Sequence, residues 1–228
     1  MDLKAQAAAA AMEYLQDNMT IGLGTGSTTS YFVDMLGEKL KQGELKNIRG
    51  VPTSEKTASR ARALKIPLVS LDEVSELDLV VDGADEVDPN LNLIKGLGRA
   101  LLREKIVESH TNRFIVVVDE SKLVPKLGTK GPLPVEITPY AAKAHIRWLN
   151  TLGCRAELWL ETDGTPATTD NGNYLAKCWF EGGIPDAYEL AEKLAWRAGI
   201  VEHGLFLGMA SLIIVAGQGG IRQIEAKR

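Results

Sequence analysis

Short apolar runs alternate with stretches of helical spacing along the first half of the chain. TIGL at 20–23 ends in glycines, LDLVV at 77–81 is apolar but for Asp78, and FIVVV at 114–118 is an unbroken apolar run. Unbroken runs are what a parallel sheet covered on both faces requires, because neither side of the strand meets water. Residues 48–51 and 67–70 read as two more short strands. Between these runs, 30–40 sets Phe32, Val33, Leu36 and Leu40 on one helical face, 54–64 is polar with helical spacing, and 99–109 is helical. The alternation predicts an α/β fold with a parallel, Rossmann-like sheet flanked by helices.

The pattern changes after KLGTKGPLPVEITP at 126–139, whose prolines and glycines mark a boundary or hinge. A helix at 140–152, a strand at 155–160, a TDNG turn at 169–172, a strand at 173–179 and a helix at 185–198 follow. Pro185 suits a first helical turn, and the DNG step between strand-like runs signals a hairpin. This block predicts a smaller α+β domain, ferredoxin-like, with an antiparallel sheet. The run at 211–215 resembles the first half again, so the chain is expected to return. The expected division is 1–128 plus 205–228 as the α/β catalytic domain and 129–204 as the smaller one.

Composition narrows the function. A net charge of −4 with scattered lysines and arginines argues against nucleic acid as a partner. Cys154 and Cys178 make no CxxC pair, and no zinc set can be built from them with His110, His145 and His203. They read as reduced thiols in a cytoplasmic protein. The start, MDLKAQAAAAAMEYLQ, lacks a basic segment followed by an apolar core and reads as an amphipathic helix. No apolar run approaches the roughly 20 residues of a membrane span.

The candidate chemistry sits in loops that follow strands. Gly22-Leu-Gly24-Thr-Gly26 is followed by Ser27 where a dinucleotide fingerprint needs its third glycine, and no P-loop GK[ST] follows. Converging backbone N–H groups, a helix start and the hydroxyls of Thr25, Ser27 and Thr28 suit a phosphate monoester. A tight turn with Ser27 or Thr28 as helix cap is the plain alternative. In Pro52-Thr53-Ser54-Glu55-Lys56-Thr57, Thr53 or Ser54 reads as the cap of the next helix, with a ligand role as the alternative because the cluster follows a strand. The stretch DGADEVDPNLNLIKG, 82–96, crowds carboxylates at the end of a strand. It could bind magnesium, form a solvated turn with Asp88-Pro89-Asn90 as an Asx turn, or bind the hydroxyls of a sugar. The solvated reading suits Glu86 and Asp88, whereas Asp82, Asp85 and Lys95 suggest function. Glu104, within Arg103-Glu104-Lys105, reads by spacing alone as one charge on a salt-bridged helix face.

GLGTGST, VDGADEVDPNLNLIKG, LLREKIVE, DESK, PLPVEI and TDNGN, in that order, carry a resemblance to ribose-5-phosphate isomerase of the A type over nearly the whole length. The resemblance implies interconversion of ribose 5-phosphate and ribulose 5-phosphate without metal or organic cofactor. It implies that Thr25, Gly26, Ser27 and Thr28 line the substrate site, and that Asp82, Gly83, Ala84 and Asp85 contact the sugar and help open its ring. Lys95, Gly96, Leu97 and Gly98 would form the next wall, Lys122 would add an anion contact, and Glu104 would be the general base. It implies a homodimer, with a tetramer as the alternative. One departure stands out: a run of glycines is usual in the family where this chain has Gly96-Leu97-Gly98-Arg99. Leu97 is tolerable there at negative φ and strained at positive φ. The rivals are a non-catalytic sugar-phosphate sensor, a magnesium-dependent phosphatase or phosphotransferase using Asp82 and Asp85, and an amino-sugar phosphate deaminase.

Overall fold

A computed structural model describes residues 2–226. Along the chain lie α1 (Leu3–Ala11), β1 (Thr20–Leu23), α2 (Ser27–Gln42), β2 (Arg49–Pro52), α3 (Glu55–Ala63), β3 (Leu79–Asp82), β4 (Glu86–Val87) and β5 (Leu93–Ile94). Then come α4 (Leu101–Glu108), β6 (Phe114–Asp119), β7 (Leu133–Ile137), α5 (Ala142–Leu149), β8 (Arg155–Leu158), β9 (Tyr174–Trp179) and α6 (Ala187–Ala195). The chain closes with β10 (Ile200–His203), β11 (Leu205–Phe206), β12 (Leu212–Gly217) and β13 (Gly220–Glu225).

Contacts divide the chain into two compact units. The first holds Met1–Ala84, Arg103–Lys122 and Met209–Arg228, and the second holds Asp85–Leu102 and Leu123–Gly208. The first unit carries a six-stranded sheet in the order β13-β12-β6-β3-β1-β2. Its neighbours pair in parallel except β12 and β13. Ile21, Leu23, Leu79, Val81, Ile115, Val117 and Ile214 are buried in one cluster with Phe32, Val33 and Leu36 of α2. The same cluster includes Ala7, Ala8 and Ala11, so the apolar face of α1 is made of alanines that let the helix lie close to the sheet.

The second unit carries a four-stranded sheet in the order β10-β7-β9-β8, with antiparallel neighbours throughout. The succession β7, α5, β8, β9, α6, β10 with that order is the ferredoxin-like β-α-β-β-α-β arrangement. A small sheet in the order β11-β5-β4 belongs to the same unit. Thr169 Oγ1 and Asn173 Nδ2 donate to Glu136 Oε1 at 2.9 and 2.8 Å, which ties the TDNGN turn to the PLPVEI strand.

The secondary structure differs from the expectations in several details. The proline-rich segment holds strand β7: Pro132 and Pro139 lie outside it, and Pro134 lies within it, opposite Lys177 of β9. The run at 67–70 forms an isolated bridge, Gly50 with Leu68. Pro185 precedes the N-cap Asp186, whose carboxylate accepts from Tyr188 and Glu189 N–H, so α6 starts later than expected.

Candidate active site

Strand order marks a candidate site. After β1 the chain forms β2 on one side of it and β3 on the other, so the order reverses at the β1–β3 seam. Ligands of open α/β sheets bind outside the carboxyl ends of the strands at such a seam. The glycine–threonine loop leaves the end of β1 and the acidic loop leaves the end of β3, side by side in parallel register, with Leu23 opposite Val81.

The first loop is held from both sides. Gly24 N–H donates to Val81 O at 3.0 Å. The Thr25 hydroxyl lies 2.7 Å from that of Thr53, 2.8 Å from Ser54 Oγ and 3.1 Å from Thr57 Oγ1. The Thr57 hydroxyl donates to Gly24 O at 2.9 Å. Ser54 also caps α3 by accepting from Thr57 N–H. α2 begins after Gly26, whose φ of 149° and ψ of 174° belong to a glycine-only region. No side chain caps α2, so neither Ser27 nor Thr28 serves as its cap and the first N–H groups of the helix face the loop. Lys4 Nζ donates to Ser27 Oγ at 3.0 Å, which brings a cation from α1 to the same place.

Asp82 is fully buried. Its Oδ1 accepts from Thr25 N–H at 3.0 Å, Gly83 N–H at 2.6 Å and Thr29 Oγ1 at 3.2 Å. Several donors on one oxygen offset the cost of burying the charge and fix the carboxylate's orientation. Glu104 is 2% exposed on α4. Arg103 turns the other way and pairs with Glu55 of α3 at 2.9 Å. The charged triplet is therefore not a uniform solvated face. A carboxylate with that little exposure, one residue from an exposed ion pair, marks a functional candidate.

Lys122 and Lys4 lie near Asp119. Asp119 ends β6, and Lys122 closes the short 3₁₀ turn Glu120–Lys122 that follows. Burial opposes ionisation of Asp119, but hydrogen bonds from Ser121 and the nearby charges of Lys122 and Lys4 outweigh it, so its pKa lies below the ordinary aspartate value.

In the second unit, Asp85 N–H donates to Ile94 O at 2.8 Å and its Oδ2 accepts from Leu97 N–H at 2.9 Å. Lys95 is 2% exposed. Its N–H donates to Gly204 O at 2.9 Å and its ammonium lies 5.4 Å from the centre of the Phe206 ring. Gly96 and Arg99 hold positive φ, 106° and 66°, whereas Leu97 does not. The leucine is thus no strain on the glycine-rich stretch, and Arg99 occupies the left-handed position. Glu86 is buried, not solvated. Its Oε2 accepts from Gly128 N–H at 2.6 Å, and its Oε1 accepts from Lys130 and Gly131 N–H at 2.8 and 2.9 Å. Asp88 does form the Asx turn, accepting from Asn90 N–H at 2.8 Å. Among the described residues, no cluster of three or more His, Cys, Asp or Glu side chains could hold a metal ion.

Residues 49–220 match the model of the family described as ribose 5-phosphate isomerase A (phosphoriboisomerase A). The chain belongs to that family. It is 50% identical to ribose-5-phosphate isomerase A of Chloroflexus aurantiacus over 97% of this chain and 92% of the relative. It is 47% identical to the enzyme of Pyrococcus horikoshii, covering 98% of each. Among solved structures, a D-ribose-5-phosphate isomerase in complex with phospho-erythronic acid superposes with a TM-score of 0.95 at 46% identity over 98% of each chain. The Plasmodium falciparum enzyme superposes with a TM-score of 0.94 at 40% identity over 99% of each chain.

Within this ribose 5-phosphate isomerase A fold, the first unit carries Thr25–Thr28, Asp82, Gly83, Ala84, Glu104 and Lys122, and the second carries Asp85 and Lys95–Gly98. Sequence reasoning did not single out Lys4, and it set Thr53 and Thr57 aside in favour of capping. Lys4 stands in an alanine-rich helix with no loop signal near it. Thr53 and Thr57 belong to a cluster that capping alone could explain, although its position after β2 pointed to the same sheet edge.

Proposed function

We propose that the chain interconverts D-ribose 5-phosphate and D-ribulose 5-phosphate through an enediolate, with Glu104 as the general base. The observation that carries this reading is the β1–β3 seam. A hydroxyl-lined, helix-starting loop suited to phosphate stands there beside a buried aspartate held by Thr25, Gly83 and Thr29. An aldose–ketose isomerisation moves one proton between neighbouring carbons, and a single carboxylate can take it from C2 and return it to C1. Glu104 does this. Negative charge then builds on the enediolate oxygens, and Lys95 stabilises it, an effect of a few kcal/mol for a fixed donor. Asp82 serves proton balance at the seam, and Asp85 moves the proton that opens the furanose ring.

The phosphate does not react. Thr25, Gly26, Ser27 and Thr28 hold it with Lys4 and Lys122, and that binding orients a small substrate at the reacting carbons. Gly83, Ala84, Gly96, Leu97 and Gly98 complete the substrate contacts. The ligand of the similar solved structure supports this assignment. Phospho-erythronic acid pairs a phosphate with a carboxylate, and a carboxylate resembles the two oxygens of an enediolate. The reaction takes no metal and no organic cofactor. The protein works as a homodimer, or a tetramer, in the cytoplasm. No described helix is long and apolar enough to cross a membrane.

The test is ribulose 5-phosphate formation by the EDTA-treated protein. Turnover in EDTA supports the reading. Release of phosphate, release of ammonia from an amino-sugar phosphate, or a requirement for added magnesium would replace it.

A further inference from the structure

We infer that Arg99 is a positioning residue for substrate binding: paired with Glu161, it locks the turn 96–99 in its working shape. The inference rests on the isomerase reading above.

The turn closes through Arg99 N–H, which donates to Gly96 O at 2.9 Å. Arg99 takes the left-handed conformation at φ 66°, which side chains with a Cβ adopt at a cost. The side chain holds the residue there. Its guanidinium grips the Glu161 carboxylate with both ends of the fork, Nη1 to Oε1 and Nη2 to Oε2, the latter at 3.1 Å. It also lies over the Trp159 ring, 5.1 Å from its centre. Arg99 lowers the Glu161 pKa, chiefly by this hydrogen bonding.

The anchor is itself braced. Glu161 N–H donates to Thr165 O, Gly164 N–H donates to Glu161 O, and Ala167 N–H donates to Trp159 O. Lys177 of β9 sits 4.3 Å from the centre of the same Trp159 ring. A planar, bidentate, ring-stacked contact is one that lysine cannot reproduce.

The lock acts on substrate binding and ring opening, the steps that precede proton transfer at Glu104. Lys95 has its own anchors in Gly204 and Phe206 and does not depend on the turn. Leu97 N–H, by contrast, lies within the turn and holds Asp85. Loosening the turn frees the wall that receives the sugar and leaves the enediolate cation in place.

The experiment is steady-state kinetics on ribose 5-phosphate for wild type, Arg99→Lys, Arg99→Gly and Glu161→Gln, with amide hydrogen exchange of the 95–102 segment. Each variant should raise KM about five-fold while kcat stays within about two-fold, the signature of lost ground-state binding. Exchange in 95–102 should speed up in all of them, including Arg99→Gly, where the left-handed residue is no longer strained. Unchanged KM and unchanged exchange with an active wild type would overturn the lock and leave the isomerase standing. A fall in melting temperature with unchanged KM would also overturn it, reducing the pair to a plain stabilising contact. No turnover by the wild type would remove the isomerase reading, and the exchange data would still decide whether the pair fixes the turn.

Discussion

Gly24 approaches the end of β3 so closely that a Cβ there would fall 2.5 Å from Asp82 Cβ and nearer still to its carboxyl group. The glycine is present for access, since only a bare backbone lets the loop lie against the aspartate. Gly24→Ala is expected to displace Asp82, destabilise the fold by about 2 kcal/mol and cut kcat/KM at least about 100-fold. Urea unfolding and steady-state kinetics check both numbers, and wild-type activity in the variant would show that Asp82 need not sit where it does. Asp119 gives a prediction in pH. Its folded pKa is lowered, so its stabilising contribution is present above the unfolded aspartate value and is lost as pH falls through the folded one. The stability gap between wild type and Asp119→Asn should therefore be open at pH 7 and close in the acid range below about pH 4. Thermal unfolding against pH measures it, and a gap that widens toward acid would contradict the assignment.

At the scale of elements, Glu86 acts as a peg. One buried carboxylate takes up Gly128, Lys130 and Gly131 N–H groups and so fixes the segment leading into β7. Glu86→Ala should cost about 3 kcal/mol of stability, because it leaves charge-assisted donors without their acceptor. Urea unfolding reads that cost directly, and a loss near zero would mean the segment is held by other contacts. Sequence periodicity found most elements of the sheet, because buried parallel strands are written as unbroken apolar runs such as 114–118. It missed β7, whose prolines read as punctuation, and β13, whose exposed residues carry little apolar signal. Glu86 escaped notice for a related reason. Nothing in the sequence shows that a carboxylate four residues beyond a strand will turn inward to meet backbone donors from a segment more than forty residues away.

For the molecule as a whole, topology did what composition could not. The reversal of strand order at β1–β3 brings together loops whose separate readings were ambiguous. Thr25 alone was compatible with a plain turn and Asp82 with a metal site. Together, with Thr53, Ser54 and Thr57 around one hydroxyl, they form one polar edge. Glu104 was legible only through the resemblance, since its charged neighbours imitate a surface face while it lies buried. The core that carries this edge is expected to tolerate loss of volume at a cost in stability alone. Ile214→Ala, in the fully buried β12, should cost about 3 kcal/mol in urea unfolding with kcat unchanged below the transition.

The central claim is that Glu104 moves the proton between C2 and C1 of the sugar. The most direct test is kcat for Glu104→Gln on ribose 5-phosphate, with circular dichroism to show that the variant is folded. The account predicts a folded protein whose kcat has dropped by a factor on the order of 100 to 10,000. Wild-type kcat in the folded variant would contradict it and move the base to another carboxylate.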